Sequence, residues 1–148
     1  MKELDYELLK EEVWSYLKCF KEVVLSTSYK DYVTSRTVYC FFDEGGLYFI
    51  TSKAYTKYKQ LIQNSRVSVC RDHIQLEGIA EDRGHPDANN IQVADEEMRD
   101  YISQYARYKN TTLIKISITK ATIYKGKGLY HYLLIEDKKA FSKGIERT

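Results

Sequence analysis

Residues 36–64, RTVYCFFDEGGLYFITSKAYTKYKQLIQN, hold two strand-like runs around a turn signal, and neither run has a polar side. The turn is Asp43-Glu44-Gly45-Gly46. Acidic residues followed by glycine between apolar runs read as a β-hairpin. Symmetric pairing sets Phe42 opposite Leu47, Cys40 opposite Phe49, Val38 opposite Thr51 and Arg36 opposite Lys53. Side chains alternate across a strand, so Arg36, Val38, Cys40, Phe42, Leu47, Phe49 and Thr51 share one face. The other face, with Thr37, Tyr39, Phe41, Tyr48, Ile50 and Ser52, is also largely aromatic and apolar. Such a hairpin must be covered on both sides. A barrel core can cover one side, and a helix of the same chain or a second subunit the other. The reading adopted is a homodimer to which the outer face contributes.

The open end of the hairpin turns polar where the next element begins. Tyr55, Tyr58, Leu61 and Ile62 recur at helical spacing and predict a short helix over about residues 54–63. Thr51 and Ser52 precede it, and Thr56 and Lys57 fall in its first turn. Free N–H groups and the positive end of a helix dipole favour an anion there. Arg36 can grip phosphate oxygens through its planar fork, while Lys57 supplies a compact charge. The competing reading is a capping Ser52 and an Arg36 in a surface ion pair.

The rest of the chain reads as strands with peripheral helices. Leu9, Val13, Tyr16, Leu17 and Phe20 mark an amphipathic helix over about residues 4–20. Strands are expected at Glu22–Tyr29, Arg66–Asp72, His73–Asp82, Thr111–Tyr124 and Tyr130–Glu136. Ile74, Leu76, Gly78 and Ala80 share a face, and Gly78 marks either a close backbone approach or a bulge. Asp95 caps a helix whose buried side is Met98, Tyr101, Ile102 and Tyr105. There is no βαβα alternation, so the fold class is mainly β: a barrel with peripheral helices, one domain over residues 1–148.

Composition excludes several classes. The chain has 148 residues, 43% hydrophobic and 30% charged, which is ordinary globular usage. No run approaches the ~18 apolar residues of a membrane span, and the charged N-terminus lacks a signal-peptide core, which points to the cytoplasm. Cys19, Cys40 and Cys70 are too widely spaced for a disulfide framework or zinc ribbon, and Cys40 and Cys70 read as small core residues. Cys70 and His73 would point to opposite faces of a strand, so no metal site is expected.

The ordered set of elements resembles the FMN-binding split barrel of the pyridoxamine 5′-phosphate oxidase-like superfamily. The matching text is Val24-Leu25-Ser26-Thr27, Arg36-Thr37-Val38, Leu47-Tyr48-Phe49-Ile50-Thr51-Ser52, Lys57, Leu61, Asn64, Val67 and Gly78-Ile79-Ala80-Glu81. The resemblance implies a six-stranded antiparallel barrel, commonly a homodimer with FMN at each subunit boundary. It implies that Arg36, Thr51, Ser52 and Lys57, with Thr56 beside them, hold the FMN phosphate. Backbone at Thr37, Val38 and Tyr39 would lie along the isoalloxazine ring, and His73 would approach it. Departures are instructive. Phe41 and Thr56 stand where the true oxidases carry basic residues, and the Lys138–Thr148 tail has no histidine for a pyridoxal phosphate substrate. The short, nitroimidazole-resistance-like reductases match better in length and layout.

The combined expectation is an FMN-dependent oxidoreductase acting on an unidentified small molecule, with no catalytic acid or base singled out. Two alternatives stay open. One is a non-catalytic flavin or haem carrier on the same scaffold, with His73, His85 and His131 as the available histidines. The other is a single-stranded nucleic-acid binder, since 14 tyrosines are interleaved with lysines. A net charge of only +2 weighs against the latter.

Overall fold

The structure is a computed structural model that describes residues 1–43, 45–87 and 95–145. Glu44 of the expected turn and residues 146–148 of the basic tail lie outside the described residues. The elements in chain order are β1 (Lys2–Leu4), α1 (Tyr6–Cys19), β2 (Glu22–Tyr29), β3 (Tyr32–Tyr39), β4 (Phe41–Asp43), β5 (Gly46–Ser52) and α2 (Thr56–Leu61). There follow β6 (Arg66–Arg71), β7 (Ile74–Asp82), α3 (Glu96–Tyr105), β8 (Thr111–Gly126), β9 (Leu129–Leu134) and β10 (Lys139–Gly144). No helix among the described residues is long and apolar enough to cross a membrane.

All ladders are antiparallel. Neighbours run β5–β8–β7–β6–β2–β3, and β4, which follows β3 directly, pairs back on β5. Counting β3 and β4 as one interrupted strand gives a six-stranded barrel. The long β8 serves two layers. Its first half pairs with β5 and β7, and its second half with β7 and β9. β9, β10 and β1 then extend the sheet beyond the barrel. The strands β10 and β1 escape a pattern reading because they are short and polar, with only Ala140 and Ser142 buried.

The hairpin register holds only near its turn. Phe41 pairs with Tyr48, Phe42 with Leu47 and Asp43 with Gly46. Beyond Phe41 the strand is diverted: Cys40 N–H donates to the Lys21 carbonyl at 2.8 Å, and β3 pairs along its length with β2. Arg36 therefore lies opposite Leu25 rather than Lys53, and Thr51 opposite Thr112 rather than Val38. β3 and β5 form no ladder, which opens the barrel at that point.

The inner face is the expected one. Leu25, Val38, Cys40, Leu47, Phe49, Leu76 and Ile116 are buried in one cluster, with α1 adding Leu9, Val13 and Leu17. Asp5 caps α1 by accepting the Leu8 N–H at 3.0 Å, and Trp14 packs on Phe42 with ring centres 5.2 Å apart. The outer face of the hairpin has a cover from its own chain. Met98, Ile102 and Tyr101 of α3 pack on Phe41, Tyr48, Ile50 and Leu113. Of the two covers that the sequence left open, a helix of the same chain is the one found over this patch, while Thr37 and Tyr39 of the same face stay exposed.

Gly78 resolves as both of its readings. The β7–β8 register shifts at Glu77/Gly78, and an added Cβ would lie 2.6 Å from Ile116 Cγ2 and 2.8 Å from the Ser117 carbonyl oxygen. Cys40 is buried and its thiol is pushed up to about 12 by burial. Cys70, by contrast, is exposed, because its neighbours Val67 and Val69 occupy the inward positions of β6.

Candidate functional site

Alternation along β3 turns Arg36 to the inner face, level with Leu25 and beside Thr27 and Thr34. Its guanidinium donates to the Leu25 carbonyl at 3.1 Å, to Thr27 Oγ1 at 2.9 Å and to Thr34 Oγ1. A guanidinium only donates, so both hydroxyls must accept from it and direct their own protons elsewhere. They donate to one atom, Gln60 Oε1, each at 2.6 Å. Gln60 Nε2 in turn donates to the Tyr32 carbonyl at 2.9 Å. This buried glutamine fixes α2 onto the β2–β3 hairpin, and with it the position of Lys57. The sequence reading overlooked Gln60; its one local signal is a polar residue beside Leu61 on the buried side of a short helix.

Lys57 is half-buried. Burial lowers the pKa of its ammonium, and the charge of Arg36 lowers it further. Burial alone lowers that of Arg36. Among the described residues neither side chain forms an ion pair. Lys57 Nζ lies instead 4.6 Å from the centre of the Tyr55 ring. Two partly desolvated cations that feel each other, with no carboxylate between them, form an incomplete electrostatic arrangement. An anion would complete it.

Thr51 is buried and its hydroxyl donates to the Ser52 carbonyl at 3.2 Å, while Ser52 Oγ accepts the Ala54 N–H at 3.2 Å. Ser52 shapes the turn before α2 rather than capping it. The helix starts at Thr56, and its N-cap Tyr55 makes no side-chain cap, so the first-turn N–H groups lack a side-chain acceptor. Val38 points into the core, and Thr37, Tyr39 and Thr56 are exposed. Arg36 and Lys57 are thus brought together, and Thr51, Ser52 and Thr56 flank α2. His73 is not brought to them. It is exposed in the turn between β6 and β7, and its carbonyl accepts the Tyr124 N–H at 3.0 Å. The opposite end of β7 meets α2, where Tyr58 donates to Asp82 Oδ2 at 2.9 Å. The length of Ile74–Asp82 separates them, ~30 Å of strand.

Asp82 ties three elements at that end. Its carboxylate accepts from Thr112 of β8, from Tyr58 of α2 and from the Gly84 N–H at 2.9 Å. Burial pushes its pKa up, but these hydrogen bonds and the charge of Lys53 outweigh it and hold the group below its ordinary value. Next to it, Thr51 and Ser52 open onto a cleft of about 740 Å³. Ile50 and Tyr55 line it together with Tyr105 and residues 107–111. A smaller hollow of about 320 Å³ shares Tyr105 and reaches Tyr39 and Phe41.

No family profile matches this chain, and no curated protein matches it in sequence. Solved structures do match in fold. One is a candidate pyridoxamine 5′-phosphate oxidase from Listeria innocua, 17% identical, with a TM-score of 0.59 over 80% of this chain and 99% of that one. A second is an FAD-binding protein from Mesorhizobium loti, 14% identical, with a TM-score of 0.55 over 75% and 90% of the two chains. A third is a haem-binding protein from Mycobacterium smegmatis, 14% identical, with a TM-score of 0.68 over 86% and 58%.

Proposed function

Starting from a chain folded as a split barrel of the pyridoxamine 5′-phosphate oxidase-like superfamily, we propose that it is an FMN-binding oxidoreductase of the cytoplasm. The observation that carries this reading is the pair Arg36 and Lys57, two partly buried cations whose charges act on each other and neither of which forms an ion pair among the described residues. The phosphate would lie between them, with Thr51, Ser52 and Thr56 supplying polar groups alongside. The ring would follow the backbone of Thr37, Val38 and Tyr39, on the edge that β3 leaves unpaired. Bound flavin supplies hydride transfer at its N5 atom. The chain's own part is to hold the phosphate, to fix Arg36 through Thr27, Thr34 and Gln60, and to line the adjoining cleft with aromatic rings.

Purified protein should show flavin absorption, and Arg36→Ala combined with Lys57→Ala should remove it without altering the far-ultraviolet circular dichroism. Stoichiometric flavin in the double variant would defeat the phosphate assignment. The matching fold of a haem-binding protein favours haem as the second reading, and a Soret band in place of flavin bands would select it. Of the histidines, His85 is already engaged by Asp87 and the Tyr108 carbonyl, which leaves His73 and His131 as axial candidates.

Homodimerisation belongs to the same reading. Its surface would be the free edge of β3, where Tyr32 and Val33 are each 64% exposed. Sedimentation at micromolar concentration should give a dimer; a monomer that still retains FMN would sink this part alone.

A further inference from the structure

Where α3 meets the outer face of the hairpin, aromatic rings gather beside carboxylates. Tyr39, Phe41 and Tyr101 form a trio, with ring centres 4.9, 5.0 and 5.2 Å apart, and Tyr105 continues it at 5.2 Å from Tyr101. These rings line the hollow of about 320 Å³, and the charged groups that line it with them are Glu97 and Asp100 of α3. Among the described residues no lysine or arginine lines it. The face of an aromatic ring is the negative part of its quadrupole, so rings beside carboxylates attract a cation.

The chain itself shows that an ammonium fits there. Lys21, just before β2, holds its Nζ 5.3 Å from the Phe41 ring centre and donates to Glu97 Oε2 at 2.9 Å. Glu97 is neutralised in this way. Asp100, three residues further along α3, forms no ion pair among the described residues. One part of the hollow is thus served by an ammonium, and the remainder, Asp100 with Tyr39, Tyr101 and Tyr105, has rings and a carboxylate but no cation of its own. Alternation along β3 sets the Tyr39 side chain on the face opposite to Arg36. The hollow therefore shares no side chain with the proposed phosphate site. The kind of cation follows from the donors it must satisfy. A primary ammonium brings three N–H donors, and Asp100 is the one carboxylate left for them. A methylated ammonium has no donors and is held by ring faces and a single negative charge. The volume lies at the lower end of small-molecule sites, which suits a compact head group.

We propose that this hollow binds a small quaternary ammonium compound. Its methylated head group lies against the rings of Tyr39, Tyr101 and Tyr105, and its charge lies beside Asp100. The binding does not rest on the flavin reading above.

The test is calorimetric titration of the full-length protein, at constant ionic strength, with three probes: choline, its neutral isostere 3,3-dimethyl-1-butanol, and ethanolamine as the primary ammonium. Choline should bind at least about tenfold more tightly than either of the others. Asp100→Asn should bring choline and the isostere within about threefold, with the melting temperature unchanged. Tyr39→Leu with Tyr105→Leu should weaken choline about tenfold while sparing the buried Phe41, Met98 and Ile102 beneath. Lys21→Met removes the resident ammonium and frees Glu97, so it should tighten choline by about threefold or more. No binding of choline, equal affinity for choline and the isostere, or discrimination that survives in D100N would overturn the proposal. Ethanolamine held as tightly as choline would overturn it in favour of a lysine side chain from a protein partner. Loss of choline binding on loading with FMN would also overturn it, by making the hollow part of the flavin's own site. Choline binding by a protein that never takes up FMN would sustain the hollow and sink the flavin reading alone.

Discussion

At the scale of single residues the site is built around a charge conflict. Lys57 is held below its ordinary pKa by burial and then by Arg36. The folded state therefore binds fewer protons than the unfolded state between the lowered value and the ordinary one. Stability gains from rising pH in that alkaline window, and at neutral pH the charged lysine opposes folding. Lys57→Met should accordingly leave the ligand-free melting temperature unchanged or slightly higher. If FMN binds as proposed, a hundredfold excess over Kd should stabilise the wild type by about 2.7 kcal/mol, and the variant should lose that rise. An equal FMN-induced rise in the variant, read by differential scanning fluorimetry, would show that Lys57 does not meet the phosphate. Arg36 and Lys57 were legible in the sequence because their chemistry is intrinsic to residue type. Gln60 was not, because its value lies in Thr27, Thr34 and Tyr32, which are 33, 26 and 28 positions away.

Elements were legible where the pattern was local. The hairpin turn, the apolar stripe of α1, the Asp95 cap of α3 and the inward residues of β7 follow from turn chemistry, helical spacing, capping and period-two alternation. The split between β3 and β5 does not, since it depends on Cys40 bonding Lys21 and on β2 outcompeting β5 for β3. Coverage of the outer hairpin face by α3 was equally hidden: an apolar face states that it needs a cover but not which. Gly78 lies between these cases. Its absent side chain was visible, and its cause is the close approach of β8 at the bulge. Backbone oxygen at 2.8 Å from a new Cβ cannot rotate aside. Gly78→Ala should therefore cost about 1–3 kcal/mol as overpacking, seen as a lower urea midpoint with unchanged slope. A loss below about 0.5 kcal/mol would mean that the β7–β8 ladder yields at the bulge.

For the whole molecule the decisive contact is the one that closes the barrel end carrying the site. Asp82 on β7 joins β8 through Thr112 and α2 through Tyr58, so one carboxylate links the barrel wall to the helix that presents Lys57. Its pKa is lowered because those hydrogen bonds and Lys53 outweigh burial. A depressed carboxylate contributes stability that is present above its unfolded value, about 3.9, and is lost as pH falls through the lower folded value. Asp82→Asn keeps the shape but cannot titrate, and with its amide oxygen toward Thr112 and the Gly84 N–H its NH2 group donates where the carboxylate accepted from Tyr58. Its urea midpoint should be lower than wild type at pH 7, by roughly 1–3 kcal/mol for a disrupted charged hydrogen-bond set. The gap should narrow toward pH 3, where wild type has begun to lose the same interaction. FMN affinity should fall with it at pH 7, because α2 loses one of its two polar anchors and Lys57 is no longer held against Arg36. A variant as acid-sensitive as wild type, with undiminished FMN affinity, would show instead that Gln60 alone positions the helix.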